Sequence, residues 1–193
     1  MNYLAHIFLS GNNPQIKIGN FIGDFVKGSR FDNYPPDIRQ GIILHRKIDD
    51  FTDSHEVVKD TVNFVRPAFG RYSAIIVDMY FDYFLAVNFR KYASTSLHIF
   101  ALQFYFSAIL NYKYLPAKVQ GFIFHFISSH RLHKYSSHAG LQNSLQIMAN
   151  YKVSALNPLK TIEFLVEHEA EIEKRFSLFF PDLLAYVNKE NEL

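Results

Sequence analysis

The chain has 193 residues, of which 49% are hydrophobic and 20% charged, and its formal net charge is +2. A chain of this length fits one domain and buries enough apolar surface to fold without added cross-links, and its composition excludes a disordered chain. Because cysteine is absent, a disulfide framework, a thiolate zinc site and a cysteine nucleophile are excluded.

Apolar residues recur at helical spacing along nearly the whole chain, and the low numbers of glycine and proline, 8 and 7, favour long helices joined by short loops. In chain order, the predicted helices run from Pro14 to a stop at Gly28, over 35–52, 57–69, 72–92 and 96–112, from Pro116 onward, over 140–149, and from Pro158 to the C-terminus as one or two helices. We therefore expect a single all-α domain over residues 1–193, built as a bundle of about seven to nine helices.

Charge is unevenly distributed along the chain. Residues 72–160 contain eight Lys or Arg and two Asp or Glu, whereas residues 161–193 contain three and eight. A basic middle segment indicates an anionic substrate or partner. The alternative is a surface on which the charges of different segments compensate one another.

The two acids of the basic segment, Asp78 and Asp82, are four residues apart within its most apolar helix. They share one helix face, and burying each carboxylate costs several kcal/mol unless it is paired or binds a metal. A metal-binding or catalytic role is one interpretation. The other is structural, with each carboxylate pairing with an arginine or capping a neighbouring helix.

A second polar cluster also follows a helical spacing. His45, Asp49 and Asp53 are each four residues apart and lie on one slowly drifting face. A neutral imidazole with carboxylates at this spacing can hold a divalent cation between helices. Asp53 also has the capping-box spacing to Glu56, which predicts that Asp53 is the N-cap of a helix beginning there.

Two further polar residues stand in apolar surroundings. Asp24 lies between apolar residues, and Gly19 and Gly23 allow a helix or a ligand to approach closely; helix packing alone is the alternative. His6 interrupts the apolar run 4–9, where a lone histidine is more often a hydrogen-bonded core residue. Taken together, two histidines and several aspartates on four segments predict a site for Mn²⁺, Mg²⁺, Fe²⁺ or Zn²⁺.

The N-terminus lacks the basic segment and the cleavage site of a signal peptide. No uninterrupted apolar stretch approaches the roughly 20 residues that span a bilayer. We therefore expect a soluble, cytoplasmic protein with no membrane partner.

Several segments of the sequence together match one known family. They are Met1 to His6, Gly19-Asn20, Asp24 to Gly28, Pro35 to Asp37, His45 to Asp49 with Thr52-Asp53, Asp78 to Asp82 with Phe84-Leu85, and Tyr135 with Gly140-Leu141 and Met148-Ala149. In these segments the chain resembles the acyl carrier protein phosphodiesterase family, and the resemblance covers nearly its whole length. Their spread over separate parts of the chain argues against chance agreement.

The resemblance implies an all-helical, HD-domain-like fold from a noncanonical branch of the HD phosphohydrolases, dependent on a divalent metal, often manganese. Members of the family hydrolyse the phosphodiester that links 4′-phosphopantetheine to a serine of holo-acyl carrier protein, a component of fatty acid biosynthesis, and release the apo form. We therefore expect a hydrolase whose partner is acyl carrier protein and not a nucleic acid.

The expected site residues fall into two sets. The predicted metal ligands are His6, Asp24, His45, Asp49 and Asp82. The predicted catalytic residues are Asp49 or Asp78, as acceptor of a proton from water, and Arg46 and Lys47, as phosphate contacts. The alternative for Arg46 and Lys47 is a solvated helix face.

The basic segment would steer an acidic carrier protein toward the site. The cations in question are Lys113, Lys118, Arg131 and Lys134. The aromatic helices at 99–106 and 122–126 would line a slot for the pantetheine arm, unless they are simply core. Two rival classes stay open: an HD-like hydrolase of a nucleotide or other small phosphodiester, and a non-enzymatic helical binding or scaffold protein.

Overall fold

The computed structural model describes residues 1–151 and 156–191. This part of the chain contains no strand, and the predicted all-α class is confirmed. Its α-helices are α1 Tyr3–Leu9, α2 Pro14–Ile22, α3 Pro36–Ser54, α4 Glu56–Phe69, α5 Ser73–Val87, α6 Phe89–Tyr92, α7 Leu97–Leu110, α8 Ala117–Ser128, α9 Arg131–Lys134, α10 His138–Tyr151, α11 Pro158–Glu167 and α12 Glu169–Asn191. None of these helices is long and apolar enough to cross a membrane. Residues 152–155 and 192–193 of the expected domain lie outside the described residues.

The described residues form twelve α-helices, more than the seven to nine expected, because α1 was not among the predicted helices and breaks create two single-turn helices. The helix predicted over 72–92 stops before Asn88, and α6 follows as a separate turn. Before α9, His130 has φ 49°, a left-handed conformation that ends α8 and lets the chain change direction. Breaks of this kind do not alter the apolar period from which the longer helices were predicted.

The helix predicted from Pro14 to Gly28 is shorter in the structure. It begins at Pro14 as expected but ends at Ile22, and Gly23–Phe25 forms a 3-10 turn instead. The turn takes Asp24 away from the buried face of α2, and its side chain is 59% exposed.

α2 and α3 pack with their backbones in contact. A Cβ atom added to Gly19 would lie 2.0 Å from the carbonyl oxygen of Ile38, and one added to Gly41 would lie 2.2 Å from the carbonyl oxygen of Ile16. A side chain at either position would push the helices apart, so the two glycines are required by this approach. The contact holds the N-terminal half of α3 against α2 and places His45, at the middle of α3, beside Asn20 and Gly23.

α5 lies at the centre of the core, as its apolar sequence predicts. Eleven of its fifteen residues are buried, and it packs against α1, α4 and α12. Phe81 stacks on Phe179 of α12 with ring centroids 5.4 Å apart, and the hydroxyl of Tyr80 donates to the carbonyl of Thr161 at 2.6 Å. α5 is therefore a rigid support for the short α1, which carries one of the predicted site histidines.

Candidate metal centre

Two histidines from different helices meet ring to ring beside α2. His6 of α1 and His45 of α3 stack with centroids 4.0 Å apart and ring planes inclined by 24°. Both side chains are buried. Gly23 makes room for the second ring, because a Cβ atom there would lie 2.2 Å from Cγ of His45. Residues far apart in the sequence thus hold two imidazoles side by side.

Asn20 orients both imidazoles. The Nδ1 of His6 donates to Oδ1 of Asn20 at 2.8 Å, and the Nδ1 of His45 donates to the backbone carbonyl of Asn20, also at 2.8 Å. The amide nitrogen of Asn20 donates to Oγ of Ser10 at 2.9 Å, which leaves its oxygen as the acceptor. Both Nδ1 atoms are therefore protonated, and both Nε2 atoms face the opposite side, where they can take a proton or a cation. Asn20 is not among the predicted site residues, although it too is a polar residue within an apolar run, as His6 is.

Two carboxylates face these Nε2 atoms. Asp49, one turn after His45 on α3, lies with Oδ1 3.1 Å from Nε2 of His6 and Oδ2 3.2 Å from Nε2 of His45. Asp24, on the 3-10 turn, lies 3.3 Å from Nε2 of His45. The side chains of Asp24 and Asp49 are 59% and 40% exposed, whereas those of the histidines are 4% and 8% exposed. The imidazoles form the floor of the cluster, and the carboxylates form a rim open to solvent.

The cluster shifts the pKa values of its members in opposite directions. Burial opposes a charge on His45, but hydrogen bonds and charges of Asp24 and Asp49 outweigh burial and raise the His45 pKa to about 9. Burial lowers the pKa of His6. Burial also acts to raise the pKa of Asp49, but its hydrogen bonds with the two histidines hold it well below its usual range. In the absence of a metal, one proton on His45 therefore binds the cluster together.

The donor set fits a divalent cation. The ligand atoms of His6, His45 and Asp49 all lie within 4.8 Å of one another, and each imidazole has its second nitrogen held by an acceptor, as in established metal sites. Two imidazoles and a carboxylate suit a borderline first-row ion, and the carboxylate of Asp24 lies beside this group, 3.3 Å from Nε2 of His45. Four of the five predicted ligands are thus brought together.

The structure places the fifth predicted ligand, Asp82, at the N-terminus of α1. Its carboxylate is fully buried and accepts three backbone N–H bonds, to Oδ1 from Asn2 at 3.3 Å and Ala5 at 3.2 Å, and to Oδ2 from Leu4 at 2.8 Å. It therefore satisfies first-turn N–H groups that lack partners within the helix. Burial raises the Asp82 pKa to about 7. Helix capping, the structural alternative, is the role that these contacts define, and Asp82 is not part of the group around His6 and His45.

The other predicted aspartates lie outside the cluster as well. Oδ1 of Asp78 accepts from the amino group of Met1 at 3.0 Å, and among the residues that the structure describes Asp78 pairs with neither a histidine nor an arginine. Asp53 is exposed in the last turn of α3, which continues to Ser54, and α4 begins after His55 without a side-chain cap. The prediction that Asp53 is an N-cap is wrong, because α3 extends beyond its predicted end.

Arg46 and Lys47 have partners within the protein. Arg46 donates to the carbonyl oxygens of Val26 at 3.0 Å and Gly28 at 2.7 Å, and Lys47 pairs with Glu190 of α12. Neither contact points to phosphate binding. Arg46 instead holds the loop that follows Asp24, which gives it a positioning role at the rim.

An all-helical chain that gathers two oriented imidazoles and two solvent-facing carboxylates has the donor set of a metal-supported hydrolase centre. The chain belongs to the acyl carrier protein phosphodiesterase family, because the family model of that description matches residues 1–183. The resemblance found in the sequence is therefore confirmed, and the chain is classed as a hydrolase of phosphodiester bonds.

Individual relatives agree with the family model. A Yersinia pestis protein named acyl carrier protein phosphodiesterase is 29% identical over 185 residues, covering 95% of this chain and 96% of that protein. A protein of the same name from Salmonella agona is 30% identical over 195 residues, covering 96% of both chains. No solved structure matches the chain.

Proposed function

We propose that this protein hydrolyses the phosphodiester that joins 4′-phosphopantetheine to a serine of holo-acyl carrier protein, releasing apo-acyl carrier protein and 4′-phosphopantetheine with the help of a divalent cation. Family membership and the names of the relatives support the substrate. The observation that carries the chemistry is the convergence of His6, His45 and Asp49 on one point. Manganese is the first candidate ion, with Mg²⁺, Fe²⁺ and Zn²⁺ as alternatives.

His6, His45 and Asp49 would hold the ion. When bound, a divalent cation lowers the pKa of a coordinated water and neutralises negative charge on a phosphate. Asn20 keeps both Nε2 lone pairs aimed at the same point. Asp24, outside the three-ligand group and the most exposed of the four side chains, is our candidate to accept the proton of the attacking water. Asp78, which the sequence offered for that step, is bound to the Met1 amino group.

An acidic protein substrate fits the charge of the surface. From residue 83 to residue 151 the sequence has no Asp or Glu, while it has six Lys or Arg. Exposed cations in a segment that has no Asp or Glu of its own raise the rate at which an acidic partner arrives and make association salt-sensitive. Lys113, Lys118 and Lys134 are exposed in this region.

The test is the mass of the carrier protein after incubation with purified enzyme and Mn²⁺, with and without EDTA. We expect metal-dependent loss of the phosphopantetheine mass, and no loss with the His45→Gln variant. His55→Gln is the matched control, because His55 contacts Asp182 outside the cluster. Bound Mn²⁺ with an unchanged carrier would contradict this substrate and favour a small phosphodiester, whereas neither binding nor turnover would favour a scaffold protein.

A further inference from the structure

A large cavity lies next to the histidine and aspartate cluster. Its volume is about 580 Å³, and its walls include Tyr3 of α1 and Phe25, the neighbour of Asp24. Tyr3 is on the same short helix as His6. Burial, together with the charge of Asp24, raises the Tyr3 pKa to about 12, while Arg131, another lining residue, acts to lower it. The cavity is therefore adjacent to the cluster.

The cavity wall combines apolar rings with cations and has no acid. Phe122, Phe126 and Met148 are among its apolar residues, and its charged residues are Lys118 and Arg131. Within residues 1–151 and 156–191, neither cation has a carboxylate within ion-pair distance. A ligand that fits this wall has an apolar or uncharged body with hydrogen-bond acceptors, attached to an anionic group.

Gly121 keeps part of this wall empty. It lies inside α8, where a glycine costs about 1 kcal/mol relative to alanine. Unlike Gly19 and Gly41, it is not required by close packing, because an added Cβ atom would meet nothing within 4 Å. Since Gly121 lines the cavity, a long side chain at this exposed position has room to extend over the cavity.

We propose that this cavity binds the pantetheine arm of the substrate, with Gly121 keeping the slot open and Arg131 donating hydrogen bonds to acceptor oxygens of the arm. The inference rests on the proposed function and extends it to the residues that select the substrate. The arm is a long uncharged chain with amide and hydroxyl groups, attached to the phosphate. A volume of about 580 Å³ falls within the range of roughly 300–1,000 Å³ typical of small-molecule sites. An arm seated here places its phosphate at the rim formed by Asp24 and Asp49.

The decisive variant is Gly121→Leu, with Ser128→Leu as control, since Ser128 is exposed on the same helix and does not line the cavity. The first measurement is calorimetric binding of 4′-phosphopantetheine in EDTA, which needs no turnover. We expect Gly121→Leu to weaken this binding at least about tenfold and to raise KM for holo-acyl carrier protein similarly, with kcat unchanged. The melting temperature should not fall, because leucine is the better helix former.

A second pair of variants tests the contribution of Arg131 to binding. Arg131→Gln should weaken 4′-phosphopantetheine binding, whereas Lys134→Gln, exposed on the same short helix and outside the cavity, should leave it unchanged. Wild-type protein that does not bind 4′-phosphopantetheine, or Gly121→Leu protein that binds it normally, would overturn the inference even if the carrier is hydrolysed. Binding that Gly121→Leu abolishes would support the inference even if the carrier is not a substrate.

Discussion

The Nε2 atom of His45 lies 3.2 Å from a carboxylate oxygen of Asp49, its neighbour one helical turn along α3. Asp24 approaches the same atom at 3.3 Å. A proton on this nitrogen holds the two carboxylates together in the metal-free protein, and a divalent cation would replace that proton. The stability of the metal-free protein and its affinity for metal should therefore depend on pH in opposite ways.

Stability of the metal-free protein should fall as pH rises. The His45 pKa of about 9 in the folded state is above its ordinary value of 6.5, so the stabilisation is complete below pH 6.5 and is lost as pH approaches 9. Between pH 7.5 and 9.5 we expect a loss of about 2 kcal/mol in the free energy of unfolding. Urea titrations in EDTA measure it. The slope should persist in His55→Asn and flatten in His45→Asn; an equal slope in both variants would contradict the assignment.

Metal affinity should rise with pH over the same range. Because Mn²⁺ must displace the His45 proton, we expect affinity to increase roughly tenfold per pH unit between pH 7 and 9, with about one proton released per ion. Calorimetry in buffers of different ionisation enthalpy gives both quantities. An affinity independent of pH would show that the ion does not bind at His45.

Loss of the Asn20 side chain should disturb both histidines. In Asn20→Leu, the buried Nδ1 of His6 loses its acceptor, and the ring is free to turn or change tautomer. We expect a loss of about 1–3 kcal/mol of stability and roughly 10–100-fold in Mn²⁺ affinity. Ser10→Ala, which removes only the hydroxyl that accepts from the Asn20 amide, should have a smaller effect on affinity. Equal metal affinity in wild type and Asn20→Leu would contradict an orienting role.

Replacing Asp82 should mainly lower the stability of the fold. In Asp82→Asn the amide cannot satisfy all three N–H groups of the first turn of α1, and we expect a destabilisation of about 1–3 kcal/mol in urea unfolding. Asp53→Asn, an exposed change in α3, should stay within about 0.5 kcal/mol. If Asp82→Asn retained full stability and lost turnover, this result would contradict capping as the main role of Asp82 and would indicate a direct role in catalysis.

The adjacent cations Arg46 and Lys47 should differ in effect. Arg46→Ala removes donors from the carbonyls of Val26 and Gly28 and loosens the loop behind Asp24, so turnover of the carrier should fall several-fold. Lys47→Ala should leave turnover unchanged, because Lys47 pairs with Glu190 of α12, which is not part of the cluster. A raised KM in Lys47→Ala would restore the prediction that Lys47 contacts phosphate.

The sequence predicted the fold class and most of the cluster for physical reasons that can be named. The apolar period of 3.6 residues is visible along nearly the whole chain, and the spacing of four residues places His45 and Asp49 on the same face of α3. His6 and Asp24 stand out because they are polar within apolar runs. His6 and Asp24 come together because α2 packs against α3. Gly19 and Gly41 permit that contact, but glycines in a sequence do not by themselves predict it.

At Asp82 the same signal, a polar residue within an apolar helix, has two interpretations. A buried carboxylate must be satisfied, but metal ions and backbone N–H groups both satisfy it, and only the position of α1 distinguishes the two. At Arg46 and Lys47, neighbours in sequence point to different sides of α3, so adjacency to His45 did not predict a shared role. Asn20 is harder to predict, because an uncharged amide in a sequence indicates metal binding or acid–base catalysis less strongly than a histidine or an aspartate does.

The capping of α1 by Asp82 has a consequence for the order of folding during synthesis. All the residues of the cluster are present once α3 has left the ribosome. The Asn2 side chain already accepts from the Tyr3 N–H at that stage, but the N–H groups of Asn2, Leu4 and Ala5 lack their acceptor, Asp82, until α5 follows. α1 has seven residues, too few for a stable isolated helix in water. A nascent chain ending after α3 therefore contains every ligand without a working centre, and the emergence of α5 is the event that completes it.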